Sequence, residues 1–210
     1  VTEAPQSIRF GELTISYDHR VLEPRPWTAA QSRWVSELLP EAPDGPVLEV
    51  CAGAGHIGLL ALRPHKRELV LVDLDEAACG FARANADTAG MGHRVSVRCG
   101  RMDEVVANGE WYAAIIADPP WVSTAEVGRF PDDPRQAIDG GVTGMDLVWA
   151  SLDVITRHLD DGGFAVLQVG PGSQADLVEA HLRRHRELNL RYESRQVHER
   201  GVLLQLRRPT

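Results

Sequence analysis

Five short apolar runs alternate with helical stretches between residues 46 and 169, and few folds accommodate that alternation. The runs fall at 46–50, 68–72, 94–98, 113–117 and 164–169, each the length of a buried strand. Helical patterns fill 56–62, 76–89, 103–107 and 145–159, and another follows at 174–185. Strands separated by helices pair in parallel, and a parallel sheet needs cover on both faces. Two last runs, 188–192 and 202–206, have only a polar turn between them. That is too short for a parallel crossover, so they form an antiparallel hairpin. The expected fold is therefore α/β and doubly wound: a mostly parallel seven-stranded sheet with an antiparallel C-terminal hairpin.

Upstream, residues 8–21 alternate loosely through Leu13, Ile15 and Tyr17 and read as a short hairpin or extended arm. Pro24 and Pro26 fix an extended approach. Thr28 is expected to cap a helix through Leu39, with Trp34, Val35, Leu38 and Leu39 inward. Residues 1–40 should then be an arm and first helix packing on the core, and 41–210 the α/β unit, one domain overall. Pro40 to Pro46 is a turn-rich connection.

Ligands of such sheets bind outside the carboxyl ends of the strands, which singles out four segments. After the first strand comes Glu49-Val50-Cys51-Ala52-Gly53-Ala54-Gly55. Gly53 and Gly55 let backbone approach a ligand, and the next helix start offers N–H groups to a carboxylate or phosphate. Glu49 would repel a pyrophosphate but could hold an ammonium or sit near a sulfonium. After the second strand Asp73, about 20 residues past the glycines, suits ribose hydroxyls, while Asp75 caps the following helix. These features indicate an adenosine-containing ligand without separating a nicotinamide cofactor from S-adenosyl-L-methionine. The fourth strand end, Asp118-Pro119-Pro120-Trp121, discriminates. Two prolines remove N–H donors and leave carbonyls as the local polar groups. A planar amino group can donate to Asp118 and the Pro119 carbonyl while packing on Trp121. The alternative reading of the same loop is a rigid proline turn after a strand.

With these residues in view, the chain resembles the class I S-adenosylmethionine-dependent methyltransferases. Within them it is similar to the release-factor glutamine-N5 methyltransferases (HemK/PrmC-like). The resemblance runs from Val21 to about Gly170. It rests on Pro24-Arg25-Pro26-Trp27-Thr28, the glycine turn, Asp73, Ala82-Arg83-Ala84-Asn85-Ala86, the proline loop, and Asp139-Gly140-Gly141 through Gly144-Met145-Asp146-Leu147. It implies cofactor contacts from Arg25, Thr28, Glu49, Cys51, Ala52, Gly53, Gly55, Asp73, Leu74, Arg101, Met102 and Asp118. It implies that Asp118, Pro119, Pro120 and Trp121 position the acceptor. The sequence departs from the family at several points. The loop has Asp118 and Trp121 where Asn and Tyr are usual, and Asp suits a donor-only amino group better than a carboxamide. The position near Trp27 is aromatic rather than acidic. Cys51 replaces the first glycine of the turn, so a glycine-only backbone is not expected there. Arg101 stands for an acidic residue, leaving Met102 packing, backbone N–H groups and Asp103 for the adenine. The family's separate N-terminal helical domain is not seen in this sequence.

The expected function is N-methylation of a planar nitrogen, first of all a protein glutamine. Alternatives are an adenine amino group or small-molecule amine, a non-catalytic S-adenosylmethionine-binding subunit, and a nicotinamide dehydrogenase, which lacks an evident Tyr-Lys or His-Asp pair. The net charge of −8 disfavours a nucleic-acid surface and is compatible with a protein substrate, with or without a small partner subunit. The cluster Arg183, Arg184, Arg186 with His185 reads as a solvated helix end or a docking patch. His56 reads as a cofactor contact or a helix-start packing residue. Three cysteines, Cys51, Cys79 and Cys99, stand far apart in sequence without metal spacing. Their low count, with no membrane-length apolar run and no leader pattern in residues 1–10, leads to the expectation of a cytoplasmic protein with no metal.

Overall fold

The computed structural model describes residues 4–210; residues 1–3, part of the segment read for a leader, lie outside the described residues. The chain opens with an antiparallel hairpin of β1 (Gln6–Phe10) and β2 (Leu13–Tyr17). A second sheet has seven strands: β3 (Val47–Val50), β4 (Leu69–Asp73), β5 (Val95–Cys99), β6 (Tyr112–Ala117), β7 (Leu159–Val169), β8 (Arg191–His198) and β9 (Gly201–Arg207). Their spatial order is β5-β4-β3-β6-β7-β9-β8. The first five pair in parallel, and β9 runs antiparallel to both β7 and β8. This is the doubly wound sheet expected from the alternation. Of the last two strands, β8 begins later than its apolar run, at Arg191, because Arg186–Leu188 forms a short 3-10 turn and Asn189 adopts a left-handed conformation.

Side chains along a strand alternate between faces, and the sheet follows that rule. Val47, Leu69, Leu71, Ala114, Ile116, Phe164 and Val166 belong to one core with α1 (Ala29–Leu38), α2 (His56–Leu62), α3 (Glu76–Thr88) and the hairpin. Leu48, Val50, Val70, Val72, Ile115, Ala117, Ala165 and Leu167 belong to the other. It lies under α4 (Met102–Val105), α6 (Asp146–His158) and α7 (Gly172–Arg184). A short helix absent from the sequence reading, α5 (Arg135–Ile138), lies in the loop after β6. Strands buried on both faces explain the unbroken apolar runs.

Asn85 ties the hairpin to this scaffold. Its Nδ2 donates to the carbonyls of Ser16 and Ala54, both at 3.0 Å, and its Oδ1 accepts from Ser16 N at 2.8 Å. One difference concerns Thr28, which does not cap α1. It ends a 3-10 turn begun at Pro26, and its hydroxyl donates to the Arg25 carbonyl at 2.8 Å. The proline at the turn's first position, with its ring-fixed φ, starts the helical geometry without a side-chain cap.

Candidate active site

The chain reverses direction through the sheet between β3 and its neighbour β6, and a cavity of about 810 Å³ opens at the carboxyl ends of these strands. That size is usual for a small-molecule site. Of the residues singled out from sequence, Arg25, Thr28, Cys51, Ala52, Gly53, Asp73, Leu74, Arg101, Met102, Asp118 and Pro120 line it, as does His56. Glu49, Gly55, Pro119 and Trp121 are not on its wall.

The glycine turn is built by alternating backbone handedness. Cys51, Gly53 and Gly55 have φ of 56°, 53° and 78°. The structure thus corrects the reading of Cys51: the backbone there does take the left-handed conformation, and a cysteine bears it at a cost of roughly 1–2 kcal/mol. Gly53 is the open point of the turn, since a Cβ there would meet nothing within 4 Å. Gly55 acts from behind: a Cβ would come 2.9 Å from Leu71 and 3.4 Å from Ala82, so its absence lets α2 start close against α3.

Two carboxylates hold this turn in shape. Asp73 Oδ2 accepts from Gly53 N at 2.7 Å, and Oδ1 accepts from Asp75 N at 2.9 Å. Burial raises the Asp73 pKa, opposed by these same hydrogen bonds. Asp75 caps α3 as expected, accepting from Ala78 N at 2.9 Å. Glu49 differs from its expected role. It is 1% exposed beneath the turn, and its Oε2 accepts from Gly58 N at 2.9 Å. Burial pushes its carboxyl well above the usual range, with Asp118 and Asp73 adding repulsion. A group that favours its neutral form and satisfies a helix N–H is no ready partner for an ammonium. The same bond occupies one of the N–H groups expected to be free for a ligand.

Asp118 follows β6 directly, and its carboxyl meets no hydrogen-bond donor among the described residues. Burial pushes its pKa up to about 7. The Ala117 carbonyl just before it accepts from Gln31 Nε2 at 3.0 Å, and the same amide reaches the Val166 carbonyl at 3.0 Å. Gln31 is fully buried on α1 and spans β6 and β7. Beyond the prolines, Gln174 donates to the Trp121 carbonyl at 3.0 Å and accepts from Gly170 N at 2.8 Å. The Trp121 ring lies over Gly170, where a Cβ would come within 2.4 Å of it. Part of the ring therefore packs at the end of β7, and the ring is not on the cavity wall. Asp139 stands on the cavity wall opposite, held by Thr124 Oγ1 at 2.7 Å and Gly141 N at 3.0 Å. Those bonds hold its carboxyl below the usual range.

The proline arm contributes Arg25, which lines the cavity and pairs with Asp133. Trp27 is not on the cavity wall, and the Arg200 guanidinium lies 5.1 Å from its ring centre. Arg101 is engaged with Asp103 at 2.8 Å and Glu104 at 3.2 Å. His56 packs edge-on against Phe10 and lies 3.4 Å from the Thr28 hydroxyl. Burial lowers its pKa to about 4, so it is neutral at pH 7. The basic cluster is far from the site: Arg183 pairs with Glu179, and His185 with Glu187 at 2.8 Å. No group of three potential metal ligands occurs among the described residues. No helix there is long and apolar enough to cross a membrane. Gln31 and Gln174 were missed by sequence reasoning. The one available signal was a polar residue on the inward side of each helix.

Comparison with known proteins agrees with this geometry. The model of the methyltransferase small domain matches residues 30–130. The ribosomal protein uL3 glutamine methyltransferase of Burkholderia pseudomallei is 31% identical over 173 residues, 73% of this chain and 54% of that protein. The release factor glutamine methyltransferase of Mycolicibacterium smegmatis is 30% identical over 180 residues, 81% of this chain and 62% of that protein. Among solved structures, the ribosomal protein L11 methylase of Lactobacillus delbrueckii subsp. bulgaricus superposes with a TM-score of 0.66 at 13% identity. It covers 90% of this chain and 82% of that one, a likeness of fold. The chain spans about half the length of the curated relatives it matches.

Proposed function

We propose that this chain, a class I methyltransferase domain similar to the release-factor and uL3 glutamine methyltransferases, transfers a methyl group from S-adenosyl-L-methionine to the side-chain amide nitrogen of a protein glutamine. The observation that carries the reading is the placement of Asp118 in one cavity with Gly53 and Asp73. The residues present fit the cofactor. Gly53 leaves open space on the cavity side of the turn. Asp73 keeps lone pairs for ribose hydroxyls after accepting two backbone bonds. Leu74 and Met102 offer apolar faces to an adenine. With His56 neutral, the cationic side chains on the arm side of the cavity are Arg20, paired with Asp18, and Arg25, paired with Asp133, and of these Arg25 is assigned to the cofactor's carboxylate.

When bound, the cofactor would supply a methyl group on a sulfonium, whose S–C bond breaks as the new N–C bond forms, the nitrogen giving up a proton to solvent. The protein's part is positioning. An amide nitrogen is a weak nucleophile, and alignment alone can contribute several kcal/mol toward such a barrier. Asp118, on the cavity wall, takes one amide N–H. Gln31 and Gln174 fix the two ends of this loop against β6, β7 and α7. Since Asp118 has a pKa of about 7, its neutral form is well populated at physiological pH. A neutral carboxyl offers one donor and one acceptor, the same pattern as an asparagine amide. Burial thereby equips an aspartate to bond both the N–H and the C=O of a glutamine side chain, which answers the departure from Asn at this position. The expected acceptor is a protein, and the expected site of action is the cytoplasm.

The test is transfer of labelled methyl to purified release factors, to ribosomal protein uL3, to nucleic acids and to small amines, with S-adenosyl-L-methionine binding followed in parallel. Label should appear on a protein glutamine. Asp118→Ala should abolish it while leaving cofactor binding nearly intact, because a positioning contact acts mainly on the transition state. Label on adenine or a free amine would refute the glutamine reading. Full turnover by Asp118→Ala would refute the assignment of the loop.

A further inference from the structure

Two of the three cysteines, 20 residues apart in sequence, meet in the fold. Cys79 is fully buried in the first turn of α3. Cys99 is the last residue of β5, exposed, and registered beside Asp73. The Cys79 sulfur lies 3.5 Å from the Asp73 carbonyl and 3.8 Å from that of Arg98, the residue before Cys99. The Cys99 sulfur lies 3.8 Å from the Leu74 carbonyl. Both sulfurs thus lie against the backbone where β4 and β5 end, Cys79 at Asp73 and Arg98 and Cys99 at Leu74. The proposed chemistry uses neither sulfur. Each cysteine is nevertheless the chain neighbour of a cavity-lining residue: Ala78 precedes Cys79, and Gly100 follows Cys99.

We infer that Cys79 and Cys99 are a redox-active pair which closes to a disulfide and thereby narrows the end of the cavity beside Asp73 and Leu74. The inference rests on the reading of that end as the adenosine site of S-adenosyl-L-methionine. A disulfide in a reducing compartment is usually transient and regulatory rather than structural. The oxidant is a small disulfide such as oxidised glutathione. The exposed Cys99 thiolate attacks one of its sulfurs and releases one glutathione thiolate. The Cys79 sulfur, giving up its proton to solvent, then attacks Cys99 and releases the second. Two protein thiols are oxidised and one glutathione disulfide is reduced to two thiols. Burial pushes the Cys79 thiol up to about 12, which slows the closing step and leaves Cys99 as the entry point. Closure brings the two sulfurs to about 2.05 Å. The first turn of α3 and the turn after β5 are drawn together, and these carry Ala78 and Gly100, which border the same part of the cavity.

The experiment equilibrates the full chain with graded reduced and oxidised glutathione, blocks remaining thiols, and reads intact mass and peptide linkage. Calorimetry with S-adenosyl-L-methionine follows on each form. The expected result is a Cys79–Cys99 linkage with only Cys51 left to alkylate, and binding weakened by about tenfold or more. Reduction should restore affinity, and Cys99→Ser should bind like the reduced protein under all conditions. A glutathione adduct that persists on Cys99 without the linkage overturns the pair. A linked protein with unchanged affinity overturns its coupling to the cavity. Failure of the reduced protein to bind S-adenosyl-L-methionine would instead refute the proposed function, and the linkage would still be decided by mass.

Discussion

The substitution Asp118→Asn, followed across pH, separates a carboxamide acceptor from an amine. Burial raises the Asp118 pKa from 3.8 to about 7, which corresponds to roughly 4 kcal/mol disfavouring its ionised form. The neutral form can bond both N–H and C=O of a glutamine amide; the ionised form can only accept. If the neutral form is the working one, kcat/KM should be highest below pH 7. It should fall about tenfold per pH unit above it, reaching a loss on the order of 100-fold at pH 9. A bound sulfonium nearby can only lower the midpoint. Asp118→Asn carries the same pattern without a titrating proton, so it should retain activity and flatten the profile. Stability gives an independent reading with its own sign. The folded pKa is raised, so this group's contribution is fully present below about pH 4 and lost as pH rises through 7. Asp118→Asn should therefore stabilise the protein at pH 8, by up to about 4 kcal/mol before allowance for cavity water, and leave it unchanged near pH 4. The assay is initial-rate methyl transfer to a release factor from pH 5.5 to 9, beside thermal melts of both proteins. A wild-type rate that climbs through pH 7, with Asp118→Asn inactive, would refute the reasoning and indicate a donor-only amine.

Three other outcomes follow from the geometry. Asp73→Ala removes the acceptor of Gly53 N and the proposed ribose contact, and should weaken S-adenosyl-L-methionine binding by roughly 1–3 kcal/mol in calorimetry. Cys51→Gly relieves a left-handed cysteine and should raise thermal stability by up to about 1 kcal/mol, a shift of roughly 2–4 °C for a chain of this size; a fall in melting temperature would mean the thiol packs more than it strains. Gln174→Ala leaves the Gly170 N–H and the Trp121 carbonyl without their partner and should cost about 1–3 kcal/mol. It should lower kcat more than cofactor affinity, and an unaltered kcat would show that the loop holds its position without it.

The alternation of apolar runs was sufficient for the sheet, its two covered faces and its terminal hairpin, because strand burial is written locally in side-chain period and length. The rule that ligands sit at strand ends then brought Gly53, Asp73 and Asp118 to one place without any knowledge of contacts. What the sequence could not determine was decided by partners remote along the chain. Gln31 reaches Ala117 across 86 positions, and Gln174 reaches Trp121 across 53. Glu49 turns under α2 rather than toward a ligand because Gly58 leaves room for it: a Cβ there would come within 2.3 Å of its carboxylate. The Trp121 ring is claimed by Gly170 for a similar reason. Cys51 is left-handed because the curl from β3 into α2 demands it, against the residue's own preference. Residue type and spacing specify which groups arrive at the site. The direction each side chain takes, and the upward shift of the Asp118 pKa, depend on the packing and desolvation that the assembled layers impose.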